Sequence, residues 1–318
     1  MKSNIYTIYS MSNSPDQEWQ GDLLDYTFKK VSQPGKLIRI CSEDFRFPKR
    51  KISLSKVGKT ITTPSFSKMS NDKHWPVMNK PGSLKYFFNN YEFNDNDILI
   101  FLDPDMIFIK PWVPKVKIGH VYGQRWKGYS KKYCEETSIQ PNLCPDNNES
   151  CLMFPFAILA EDMKKIVNDI ENFARKGYEK KKTWMADMSA FQIAMEKHNL
   201  ICHAEENIGL CNNWNNNNDE SAPIMHYCQP IFNINKQKIW YKYKHNSMLF
   251  IPRPSLAINR VDKEVLKAVR EYEKDIGIFK VIEKKSEDGR FQKNYQSIIL
   301  IQRLLKRISS IFHKMEKS

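Results

Sequence analysis

Asp97-Ile98-Leu99-Ile100-Phe101-Leu102-Asp103-Pro104-Asp105-Met106-Ile107-Phe108-Ile109 is the stretch on which the fold turns. A continuously apolar, β-branched run closed by an acidic turn reads as a buried strand that delivers two carboxylates to a sheet edge. In open α/β sheets, ligands sit outside the carboxyl ends of the strands. Two acids held at the end of a buried strand are costly without a counter-charge. Spaced by one residue, Asp103 and Asp105 are oxygen ligands suited to a hard dication, which would neutralise a diphosphate. The plainer alternative is an Asp-rich turn that only closes a strand.

Upstream, residues 5–9 form a short apolar and aromatic run ending at Ser10 in a polar loop, the pattern of a buried strand followed by a turn. Residues 19–31 read as a helix, Pro34-Gly35 as a turn and residues 37–41 as a second strand. Strand, helix, strand is how a nucleotide-binding α/β unit begins. Residues 45–72 read as loop with an irregular strand, and residues 82–91 as a helix with Leu84, Phe87 and Phe88 at helical spacing. Downstream, residues 151–159 read as a strand and residues 161–176 as a helix with Met163, Ile166, Ile170 and Phe173 on one face. In a further helix, residues 184–198, the stripe Met185, Met188, Phe191 and Met195 reads as core. Residues 212–219 are an asparagine-rich loop and residues 222–227 a short strand carrying His226. A polar, aromatic connector runs to about residue 260. Beyond it, Ile301, Leu304, Leu305, Ile308, Ile311, Phe312 and Met315 recur on one face of a basic amphipathic helix. That helix could pack on the body, lie on an anionic membrane surface or bind a partner. The division expected is a catalytic domain over residues 1–260 and a basic helical extension over residues 261–318.

Across 318 residues the chain carries a formal charge of +14, which favours polyanionic partners and phosphate-bearing ligands. No arginine-rich block, zinc-finger spacing or RNA-binding aromatic signature accompanies the excess, which argues against nucleic acid. Seven cysteines without a CxxC pair, behind an N-terminus with no apolar leader, point to a reducing, cytoplasmic setting, with peripheral membrane contact open through the tail. Cys134, Cys144 and Cys151 lie close enough for a disulfide or a metal site, but match no zinc spacing and are read as free thiols. No apolar run is long enough to span a bilayer.

The segments Ser14-Pro15-Asp16-Gln17-Glu18-Trp19-Gln20, Val77-Met78-Asn79-Lys80-Pro81, residues 97–112, residues 184–198 and Met225-His226-Tyr227 resemble, in the same order, blocks of the plant hydroxyproline O-arabinosyltransferases and related peptidyl serine α-galactosyltransferases. The resemblance spans roughly residues 4–245. It implies a GT-A fold, a Rossmann-like mixed sheet flanked by helices. The activity implied is retaining transfer, dependent on Mn²⁺ or Mg²⁺, from a UDP-sugar to a hydroxyl acceptor such as hydroxyproline or serine of a peptide. By position, Asp103 and Asp105 match the metal turn, and His226 matches a late third ligand, the alternative being a satisfied strand-end histidine. Ser10, Trp19 and Gln20 lie at the opening loop where a base or ribose would sit, Trp19 reading equally as helix-packing core. Asn79 and Lys80 would meet phosphate or sugar hydroxyls, against a merely solvated lysine. Asp187 would face the sugar as nucleophile or positioning group, against an exposed helix acid. The chain has Asp103 and Asp187 where the family carries Glu, and Cys228 after the His-Tyr pair, so donor and acceptor are expected to differ from the plant enzymes. Two rival readings stay open: a metal-dependent nucleotidyl- or phosphotransferase, disfavoured by the lack of a Gly-rich phosphate loop, and a non-enzymatic basic protein that binds membrane or nucleic acid through its tail.

Overall fold

The computed structural model describes residues 3–69, 73–183, 185–212, 219–247 and 251–276. Along the chain come β1 (Ile5–Ser12), α1 (Pro15–Lys30), β2 (Lys36–Ser42), β3 (Lys59–Thr63), α2 (Asn79–Asn90), β4 (Ile98–Leu102), β5 (Met106–Phe108) and β6 (His120–Arg125). There follow α3 (Lys131–Thr137), β7 (Leu152–Leu159), α4 (Ala160–Lys180), α5 (Ala186–Lys197), β8 (Ile201–Glu205), β9 (Gly209–Cys211), β10 (Ile224–His226), β11 (Ile231–Phe232), β12 (Lys238–Trp240) and α6 (Arg260–Asp275). This is a mixed α/β architecture. A seven-stranded sheet has the order β3-β2-β1-β4-β7-β6-β8, with β1 parallel to both β2 and β4, and β7 antiparallel to both its neighbours.

Local chemistry explains the first unit. Ser14 caps α1, its hydroxyl accepting from Gln17 N at 3.3 Å, and Pro15 occupies the first turn, where its missing N–H costs nothing. At the turn into β2, Gly35 has φ +97°, and a Cβ there would lie 2.2 Å from the Ile5 carbonyl oxygen, so only glycine fits. The β4 run is buried from Leu99 to Leu102 because it lies between β1 and β7. The stripes expected on α4 and α5 do face the core: Met163, Ile166, Ile170, Phe173, Met188, Phe191 and Met195 are all buried.

Several expectations need correcting. β6 and β8 carry no continuous apolar run; β8 is an edge strand with Ile201 54% exposed, and so escapes a search for buried strands. Cys134 and Cys144 form a disulfide across the α3 region, with Cα atoms 5.9 Å apart. They are not free thiols, and the inference from unpaired cysteines to a reducing compartment falls with them. The supposed connector before residue 260 contributes Trp240, Ile251 and Ala257 to a second core cluster with Trp19, Leu23 and Tyr227. α6 joins the same cluster through Val261, Val265, Leu266 and Val269, so packing continues past residue 260. The expected helix around residues 301–315 lies outside the described residues, as do residues 213–218 of the asparagine-rich loop. Among the described residues, no helix is long and apolar enough to cross a membrane.

Candidate metal and nucleotide site

The strand order reverses at β1, which has β2 on one side and β4 on the other. Such a switch point opens a crevice at the carboxyl ends of the strands. A cleft of about 160 Å³ lies there, lined by Ser10, Gln17, Gln20, Asn79, Lys80, Asp103, Asp105 and Lys242 among others.

Register brings the acidic turn and the histidine together. After the Asp103-Pro104-Asp105 turn the chain enters β5, which pairs antiparallel with β10 so that His226 stands opposite Met106. Tyr227 N donates to the Asp105 carbonyl at 3.1 Å and closes the junction. His226 Nε2 lies 3.3 Å from Asp105 Oδ2, and one ligand atom each from Asp103, Asp105 and His226 falls within 4.8 Å of the others. Two carboxylates and an imidazole that converge in this way fit a divalent cation of the Mg²⁺ or Mn²⁺ class.

Lysines balance this charge. Lys242, 7% exposed, donates to Asp105 Oδ2. Lys80 Nζ lies 2.7 Å from Asp103 Oδ1 and 2.8 Å from Asp187 Oδ2, with its ammonium 4.5 Å from the Phe154 ring centre. Burial alone would raise the Asp105 carboxyl, but the charges of Lys242 and His226 outweigh it and hold it far below the usual carboxylate range. Burial alone would lower His226; the Asp105 carboxylate reverses this and raises the ring to about 9. Both lysines are likewise raised by their carboxylate partners against the pull of burial. With no added cation the cluster is therefore near neutrality, the three carboxylates facing two ammonium groups and an imidazolium.

The remaining expected site residues divide. Ser10 lines the cleft, its hydroxyl 2.8 Å from Ser83 Oγ. Gln20 lines it too, with a buried Nε2 that has no hydrogen-bond partner among the described residues. Asn79 clamps the start of α2: its amide donates to Ser12 Oγ at 2.8 Å and accepts from Phe66 N at 2.8 Å. Trp19 departs from the nucleotide-facing expectation. It stacks on His245 at 4.0 Å inside the second core cluster, while its neighbour Gln20, about 100° further round α1, lines the cleft with Gln17. Lys80 is not a solvated lysine, and Asp187, 2% exposed, is not a solvent-facing acid. Asp187 does not line the cleft; it is bound to Lys80 and accepts from Met188 N at 2.9 Å. Lys242 was not found from sequence. It is 137 positions from Asp105, in a run of Lys and Tyr without periodicity, and only the fold brings it back.

No known family's sequence profile matches the chain. Over 114 residues it is 32% identical to a peptidyl serine alpha-galactosyltransferase of Arabidopsis thaliana; the match covers 35% of this chain and only 14% of that protein's length. Together with the α/β sheet and the cleft at its switch point, the similarity supports a glycosyltransferase-like relationship for this chain.

Proposed function

We propose that this chain is a GT-A-type, metal-dependent glycosyltransferase that moves a sugar from a nucleotide diphosphate donor, most simply a UDP-sugar, to a hydroxyl acceptor. The observation that carries the reading is the convergence of Asp103, Asp105 and His226 with two lysines at the sheet's switch point. Asp103, Asp105 and His226 would hold the cation, Mn²⁺ or Mg²⁺, which supplies charge neutralisation to the departing nucleotide. Lys80 and Lys242 add two positive charges to the same cleft and complement a diphosphate. Gln20 offers an unused amide donor and Ser10 a hydroxyl to the nucleoside end. Asp187, fixed between Lys80 and Met188 N, acts as a positioning group for the lysine and not as a nucleophile at the cleft wall. The hydroxyl acceptor, in this reading hydroxyproline or serine of a peptide, would enter from the solvent side of the cleft.

Charge balance makes a testable demand. A dication added alone to a near-neutral cluster meets two ammonium groups, whereas a dication accompanied by a diphosphate does not. Mn²⁺ affinity, read by calorimetry, is therefore expected to rise at least about tenfold in the presence of UDP. The direct test incubates the chain with Mn²⁺ and a panel of UDP-sugars, with and without hydroxyproline- and serine-containing peptides, and measures free UDP. Release confined to one donor supports the transferase; neither release nor metal-dependent UDP binding would overturn it. Lys80→Met should lower UDP release about 10–100-fold, because it removes one diphosphate partner, and should also cost about 3–5 kcal/mol of stability, because it leaves the buried Asp187 carboxylate without its ammonium. Unchanged release in this variant would exclude Lys80 from the site.

A further inference from the structure

We infer that Cys211, Cys228 and His226 form a second site, for a thiophilic divalent ion such as Zn²⁺, whose occupation withdraws His226 from the carboxylate site. The second half of this inference rests on the function proposed above; the first half stands on geometry alone.

β9 and β10 run parallel with Cys211 paired to His226, and Cys228 lies two residues beyond on the same segment. Cys211 Sγ is 3.2 Å from His226 Nδ1 and 3.4 Å from Cys228 Sγ, and the three ligand atoms lie within 4.8 Å of one another. A tetrahedral zinc ion with ordinary Zn–S and Zn–N lengths separates two sulfurs by about 3.8 Å and a sulfur from a nitrogen by about 3.5 Å. The two contacts of Cys211 thus have to open by only a few tenths of an ångström to admit the ion. A disulfide between the same cysteines needs sulfurs about 2.05 Å apart, a closure of more than an ångström. Cys211 and His226, 2% and 7% exposed, are held on β9 and β10, while the half-buried Cys228 follows just past the end of β10.

The two nitrogens of His226 face opposite chemistries. Nδ1 points at the sulfurs and Nε2 at Asp105 Oδ2, 3.3 Å away. Binding of Zn²⁺ by the two thiols and Nδ1 forms two metal–sulfur bonds and one metal–nitrogen bond, releases the two thiol protons and the Nδ1 proton of the imidazolium to solvent, and changes no oxidation state. The proton left on the ring is then on Nε2, donated to the carboxylate in the carboxylate–histidine–metal arrangement. An Nε2 that carries a proton has no lone pair for the hard cation. Soft-ion and hard-ion occupancy therefore compete for one imidazole, although their other ligands do not overlap.

The test titrates the full chain, its Cys134–Cys144 bridge kept oxidised, with Cd²⁺ as the probe and follows the ultraviolet thiolate-to-cadmium absorption. Saturation at one equivalent is expected in the native chain, with loss of the band in Cys211→Ser and Cys228→Ser and its retention in Cys202→Ser. A native chain without a saturable band, or a band that survives both Cys211→Ser and Cys228→Ser, would overturn the site. Should the variants not fold, protection of Cys228 from alkylation by Cd²⁺ in the native chain, read by mass spectrometry, decides the same question. Asp103→Ala is expected to keep the cadmium band while losing Mn²⁺ binding, which separates failure of this site from failure of the carboxylate site. Where Mn²⁺-dependent UDP release is present, Cd²⁺ should suppress it in the native chain and not in Cys228→Ser; equal suppression in both would remove the competition.

Discussion

Asp105→Ala is expected to reduce metal-dependent UDP release by at least about 10²–10³-fold, the scale of losing one preorganised electrostatic partner at a reacting centre. The carboxylate accepts from both Lys242 and His226, and it is one of the three groups that would bind the cation. Its removal also leaves the Lys242 ammonium buried without its carboxylate, an arrangement that typically costs about 3–5 kcal/mol of stability. Asp105→Asn separates the two effects, because the amide oxygen still accepts from Lys242 while the charge is gone. It should recover part of the stability lost in Asp105→Ala and still lose Mn²⁺ binding. Native-like Mn²⁺ affinity and UDP release in both variants would defeat the assignment of Asp105.

The second large effect lies outside the cleft. Arg39 is fully buried on β2, with ion pairs to Asp22 at 2.7 Å and Asp25 at 2.8 Å and hydrogen bonds to Tyr9 Oη at 2.6 Å and Ser53 Oγ at 3.0 Å. This network ties β1, α1 and β2 together, and so supports the strand end that carries Ser10. Arg39→Ala is expected to cost about 3–5 kcal/mol, because it leaves the buried Asp25 carboxylate without its guanidinium. Burial already raises the Asp25 carboxyl even with Arg39 working against it. Without the arginine the folded-state value moves higher still above the unfolded one, so the folded variant binds the proton more tightly than the unfolded chain. Stability lost in this way grows as pH rises, and urea midpoints of native and variant chains should diverge more at pH 8 than at pH 4. Adding Asp25→Asn to Arg39→Ala should recover part of the loss at pH 8; no recovery would place the cost in lost packing and not in charge.

The fold was legible wherever burial is continuous. The β4 run, the β1 run and the stripes of α4 and α5 each carry their periodicity within a few residues, and each lies in the core as expected. β6 and β8 were not legible, since paired backbone and not apolar side chains defines them. The Cys134–Cys144 bridge was likewise hidden, because spacing along a chain does not report whether two Cβ atoms face one another.

By itself the sequence determined that an apolar strand ends in Asp103-Pro104-Asp105 and that such an end belongs at the carboxyl edge of an α/β sheet; both follow from local composition. It also supplied, through resemblance, the candidacy of Lys80, Asp187 and His226. Only the tertiary structure decided which charges meet. The β5–β10 register sets His226 beside Asp105, the fold returns Lys242 across 137 positions to the same carboxylate, and α1 turns Trp19 into the core while Gln20 faces the cleft. Electrostatic partnership depends on distances of a few ångströms between residues far apart in the chain, and no local pattern encodes those distances.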